Sequence, residues 1–145
     1  MRLLISACLL GVSCRYDGES KAHPLAAELG KRHQLVPVCP EQLGGLPTPR
    51  PPAERRGDRV VTAAGEDVTA AYRRGAEEAL TLCRALGCQG AVLKERSPSC
   101  GSGEIYDGYF NRTRIPGDGI TAEALKAYGI KIWGESDLEG LLEDG

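Results

Sequence analysis

Residues 67–94 read DVTAAYRRGAEEALTLCRALGCQGAVLK, a helix followed by a strand. Val68, Tyr72, Ala76, Ala79, Cys83 and Leu86 recur at helical spacing, which predicts an amphipathic helix over Asp67 to Leu86. Asp67 is placed to cap its start and Gly87 its end. Ala91 to Lys94 then reads as a short buried strand that runs into Ser97-Pro98-Ser99-Cys100-Gly101-Ser102-Gly103.

The same unit appears on both sides. Upstream, Arg2 to Ala7 is an apolar run ended by a turn-rich loop, Pro24 to Arg32 suits a helix, and Leu35 to Val38 a second strand. Downstream, Thr121 can cap a helix ending at Tyr128, and Ile130 to Trp133 is a fourth strand. Ser136 and Glu139 stand at capping-box spacing for a last helix. Between these units, residues 41–66 and 102–119 show no periodicity, and four prolines interrupt the first of them. Strands alternating with helices predict a single three-layer, Rossmann-like α/β domain over residues 1–145, with a mostly parallel four-stranded sheet and helices on both faces.

Composition narrows the function. The 145 residues are 41% hydrophobic and 26% charged, which is globular, with 18 basic and 20 acidic residues giving a net charge of -2. That balance supplies no general attraction for nucleic acid or anionic lipid. The apolar amino-terminal run is too short to span a membrane and lacks a cleavage site, so the expectation is a cytoplasmic protein. In that compartment six cysteines point to metal or thiol chemistry rather than a disulfide framework.

Three of those cysteines follow strands. Cys8 ends the first, Cys39 the second, and Cys100 comes after the third. Ligands of open parallel sheets bind beyond the carboxyl ends of the strands, so these three thiols are expected on one rim. Their spacing leaves both an iron–sulfur cluster and a zinc with a fourth ligand open, although the tight cysteine pairs usual for structural zinc are absent. The glycines after Cys100 would admit a bulky ligand close to the backbone. Cys83 and Cys88 read as core thiols, and Cys14 as a ligand, a neighbouring thiol or a solvent-facing one. His23 and His33 read as surface residues. Glu41 and Ser97 lie close to candidate ligands on the same rim, where a carboxylate suits proton transfer and where either residue could equally cap a turn.

Three segments, taken together, resemble the 2-thiouracil desulfidase family, long catalogued as a domain of unknown function. They are Ser6-Ala7-Cys8-Leu9-Leu10-Gly11 with Cys14-Arg15-Tyr16-Asp17-Gly18; Pro37-Val38-Cys39-Pro40-Glu41 with Gly44-Gly45-Leu46 and Pro49-Arg50; and Leu93-Lys94 with Ser97-Pro98-Ser99-Cys100-Gly101. The resemblance implies a 4Fe–4S cluster on Cys8, Cys39 and Cys100 with one open iron site. It implies removal of sulfur from a small thiolated base or nucleoside such as 2-thiouracil, without net redox change, giving uracil and hydrosulfide. Glu41 would be the proton-transfer residue and Ser97 a positioning or relay group. Two other functions stand beside it: a cluster-bearing sulfur carrier or binding module without turnover, and a zinc-stabilised ligand-binding domain. A nucleic-acid partner fits the acidic chain poorly.

Overall fold

The computed structural model describes residues 1–143. Its centre is a parallel sheet in the order β2-β1-β5-β8, formed by β1 (Arg2–Ser6), β2 (Gln34–Val38), β5 (Gly90–Leu93) and β8 (Lys131–Gly134). Leu4 pairs with Val36 on one side and Ala91 on the other, so β1 is hydrogen-bonded along both edges. That central position explains its unbroken apolar run, because a strand covered on both faces has no polar side.

Alternate residues of β1 feed two cores. Leu3 and Ile5 pack with Leu29 of α1 (Ala26–Arg32) and with Leu138 and Leu141 of α5 (Leu138–Glu143). Leu4 points the other way, toward Ala79 and Cys83 of α3 (Thr69–Ala85) and Leu125 of α4 (Ile120–Ala127). Leu3, Leu4 and Ile5 have no exposed surface, and burying each contributes about 1.5–3 kcal/mol. The chain moves outward from β1 to β2, then crosses back to β5 on the other side. The strand order therefore reverses between β1 and β5, where their carboxyl ends leave a crevice.

The expected three-layer α/β architecture is present, with four corrections in detail. The first concerns residues 41–66, which are not wholly irregular. They include most of α2 (Pro40–Leu43) and the hairpin β3 (Ala53–Arg56) and β4 (Arg59–Thr62). Likewise, residues 102–119 contain the hairpin β6 (Glu104–Tyr106) and β7 (Arg114–Pro116).

Capping differs too. Helix α3 starts at Thr69, whose amide donates to the Asp67 carboxylate at 2.9 Å. Gly119, not Thr121, precedes α4, and the buried Thr121 hydroxyl sits 2.8 Å from that of Ser99. Ser136 lies in a 3-10 turn and bonds the Glu95 carboxylate at 2.6 Å instead of capping α5. Finally, His33 is buried rather than exposed; its Nε2 lies 3.1 Å from the Leu141 carbonyl, tying α1 to α5.

Two glycines decide how α2 sits on α3. A Cβ on Gly44 would lie 2.0 Å from the Ala71 carbonyl oxygen, and one on Gly75 would lie 1.9 Å from that of Pro40. The helices meet backbone to backbone, which no other residue permits. This contact carries the residues on either side of Pro40, Cys39 and Glu41, against the body of the protein.

Candidate functional site

Each candidate cysteine is held by a different piece of backbone. Cys8 sits in the 3-10 turn Ala7–Leu10 that follows β1 without a break, and Gly11, with φ 100°, ends that turn. Cys39 is the extended residue between β2 and α2. Cys100 lies in a loop wound tightly on itself: the Ser97 hydroxyl oxygen accepts the amides of Ser99 and Cys100 at 3.1 and 3.0 Å. Gly101 belongs to the same winding, since a Cβ there would lie 2.7 Å from the Ser97 carbonyl oxygen. Its small size serves the loop's own packing.

These three elements open on one cavity of about 310 Å³ at the crevice between β1 and β5. Cys8, Cys39 and Cys100 line it, together with Cys14, Glu41 and Ser97. All six cysteines are free thiols. Cys83 and Cys88 lie away from the cavity in the core under α3, the Cys83 thiol 3.8 Å from the Cys88 carbonyl oxygen. His23 is half-buried, its Nδ1 accepting the Leu25 amide, and does not line the cavity.

Electrostatics registers how near the cavity thiols are to one another. Burial pushes Cys8 up to about 11, against the pull of Lys94, and Cys39 adds to the rise. Burial also lifts Cys100 to about 12, with Glu41, Cys8 and Cys39 contributing in the same direction. Cys14 reaches about 12, raised first by burial and next by Cys39. Without a bound cation, then, these thiols keep their protons at neutral pH, and a metal group must displace them to bind.

The donor set fits an iron–sulfur cluster. Thiolates are the ligands such clusters take, and four thiols, Cys8, Cys14, Cys39 and Cys100, stand around one space. A single zinc would need its ligands about 2.3 Å from one point. Among the described residues no three His, Cys, Asp or Glu side chains are grouped to hold a single metal ion. Lys94 and Arg15 also line the cavity and favour the ionised Cys8.

Glu41 projects from the first turn of α2 into a network that sequence reading missed. Its Oε1 accepts a hydrogen bond from the Tyr72 hydroxyl at 2.6 Å and another from Arg50 Nε at 3.1 Å. Arg50 Nη1 donates to the Pro47 carbonyl and Thr48 hydroxyl oxygens, and Nη2 to the Cys14 carbonyl at 2.9 Å. The same Cys14 carbonyl faces the Cys39 thiol at 3.6 Å. Burial, followed by the Glu41 carboxylate, pushes the Tyr72 hydroxyl far above the usual tyrosine range, so it remains a donor. Tyr72 carried only the signal of a core position on an amphipathic helix. Arg50 stood in a quoted motif, but nothing local linked either residue to Glu41.

Comparison with known proteins agrees with this arrangement. The uncharacterized protein YbbK of Bacillus subtilis is 41% identical over 150 residues, covering 97% of this chain and 99% of that protein. A solved structure of the 4Fe–4S-dependent thiouracil desulfidase TudS superposes with a TM-score of 0.92 at 51% identity, covering 97% of this chain and 94% of the other. The profile of the 2-thiouracil desulfurase family matches residues 3–137, which include all of the central sheet but Arg2 and every cavity residue described above. On that match and those identities, this chain belongs to the 2-thiouracil desulfurase family.

Proposed function

We propose that the chain is a 4Fe–4S-dependent desulfidase that hydrolyses the C–S bond of a small thiolated base such as 2-thiouracil. The observation that carries this reading is the meeting of three free thiols from three strand ends with Glu41 and Ser97 around one cavity. In the overall reaction the oxygen of water becomes the carbonyl oxygen of uracil, sulfur leaves as hydrosulfide, and no electrons are gained or lost.

Cys8, Cys39 and Cys100 are the thiolates that hold the cluster in this reading. A bound cluster with one iron free of protein thiolate supplies a Lewis acid for the departing sulfur. The remaining work falls to the chain. Glu41, fixed at the cavity wall by Tyr72 and Arg50, takes a proton from the attacking water and returns one to the base. The Ser97 oxygen already accepts two amides, which directs its hydroxyl hydrogen away from the loop to orient a carbonyl or thiocarbonyl group. The cavity of about 310 Å³ suits a small ligand, and Ala7, Val38, Pro40 and Pro98 contribute to its wall.

Anaerobic purification with iron, acid-labile sulfide and zinc quantified tests the cofactor first. About four irons and four sulfides per chain with a broad visible band are expected. Stoichiometric zinc, or no metal after anaerobic reconstitution, refutes the reading. Incubation of the loaded protein with 2-thiouracil is then expected to release uracil and sulfide. A carrier or binding module would instead keep its cluster and show no difference between wild type and Glu41→Ala.

A further inference from the structure

Glu41 presents its two carboxylate oxygens to different surroundings. Tyr72 and Arg50 both donate to Oε1, and no described residue donates to Oε2. Yet no buried side-chain oxygen or nitrogen among the described residues lacks a partner. Oε2 is therefore not sealed in the protein but keeps accessible surface, and Glu41 is one of the residues lining the cavity. We propose that Tyr72 is a positioning residue for Glu41, with Arg50 as the second anchor, holding the carboxylate by Oε1 so that Oε2 faces a bound thiolated base. The inference rests on the desulfidase reading and assigns the part of the site that orients its proton-transfer group.

Three features support a clamp rather than an incidental contact. The 2.6 Å separation between the Tyr72 and Glu41 oxygens is that of a charge-assisted hydrogen bond. Arg50 is immobilised: only 3% of its side chain is exposed, and all three of its guanidinium nitrogens are engaged. Tyr72 and Gly75 lie one turn apart on the same face of α3, and they contact consecutive residues of α2. Gly75 sets the backbone height at Pro40, and Tyr72 sets the orientation of the next side chain. One helix thus fixes both the position of the carboxylate and its rotation. A carboxylate free to rotate would share its two oxygens among water and protein donors. Clamped by one of them, it keeps the other aimed into the cavity before a ligand arrives.

The experiment compares the cluster-loaded wild type, Tyr72→Phe, Glu41→Ala and the double variant for 2-thiouracil hydrolysis, iron and sulfide content, and thermal midpoint. Tyr72→Phe is expected to keep full iron and sulfide content, to hold KM within about twofold, and to lower kcat about 10²-fold, as misplacement of a working group does. In the Glu41→Ala background, Tyr72→Phe is expected to cost no further rate and no further loss of midpoint, because the hydroxyl then has no partner to hold. Independent, multiplicative rate losses in the double variant overturn the proposal, as does a wild-type kcat in Tyr72→Phe or a rate loss matched by lost iron. Should the loaded wild type turn over no thiolated base, the desulfidase reading fails by itself. The clamp is then judged on the melting data, where additive midpoint shifts refute it.

Discussion

Gly75→Ala isolates the contact that positions the site. In the interior of an ordinary exposed helix this change stabilises by about 1 kcal/mol. Here the new methyl would lie 1.9 Å from the Pro40 carbonyl oxygen and 2.8 Å from its carbon, closer than the 3.0 Å that real Cβ atoms keep. Relief requires α2 and α3 to part by about 1.1 Å, since the obstacle is backbone and no rotamer change removes it. Overpacking of that kind costs about 1–3 kcal/mol, so the net loss of stability is expected at about 0–2 kcal/mol, small enough for the chain to fold. The larger effect is geometric. A shift near 1 Å at Pro40 moves Cys39 and Glu41 together, and displacements of that size cost about 10² in rate. The assay is iron and sulfide content after anaerobic reconstitution, melting midpoint, and 2-thiouracil turnover. Gly140→Ala serves as control, because nothing lies within 4 Å of its added methyl. That variant is expected to be at least as stable as wild type and fully active. Full iron content and undiminished turnover in Gly75→Ala would refute the reasoning.

Replacing Cys8, Cys39 or Cys100 by Ser should each abolish the visible band and the bound iron after reconstitution, whereas Cys83→Ala should lose some melting stability and keep its iron. The metal-free chain is expected to unfold in alkali. Burial pushes its thiols up to about 11 for Cys8 and Cys83 and about 12 for Cys14 and Cys100, against 9.0 for an ordinary cysteine. A raised folded value favours the native state below pH 9, and that advantage drains away as pH climbs from 9 toward 12. Circular dichroism against pH checks this, and a flat profile across that window would contradict it. At the other end of the scale, the hydrogen bond from Thr69 and the Arg59 guanidinium hold Asp67 down at about 2, against 3.8 for an ordinary aspartate. Asp67→Asn should therefore melt lower than wild type above pH 4, with the gap closing as pH falls toward 2.

The layered architecture and the meeting of Cys8, Cys39 and Cys100 around one cavity are legible in the order of residues alone. Both depend on signals carried within a few residues. The apolar run of β1 and the helical period of α3 each record burial of a whole face, and each cysteine stands at or soon after the end of such a strand. Parallel topology then brings strand ends together without any long-range detail.

The wall around those thiols is built by contacts that form once the chain is folded. The β3–β4 hairpin pairs the charged Ala53–Arg56 segment with Arg59–Thr62, too short and too polar to show a period of its own. His33 looked like a surface residue at a helix end, and it is buried because α5, more than 100 positions away, packs over it. The Gly75–Pro40 contact and the Tyr72–Glu41–Arg50 network join residues separated by 9 to 35 positions. Such contacts leave no repeat in the chain, because each is a single approach between side chain or backbone groups whose partner is set by how two helices cross.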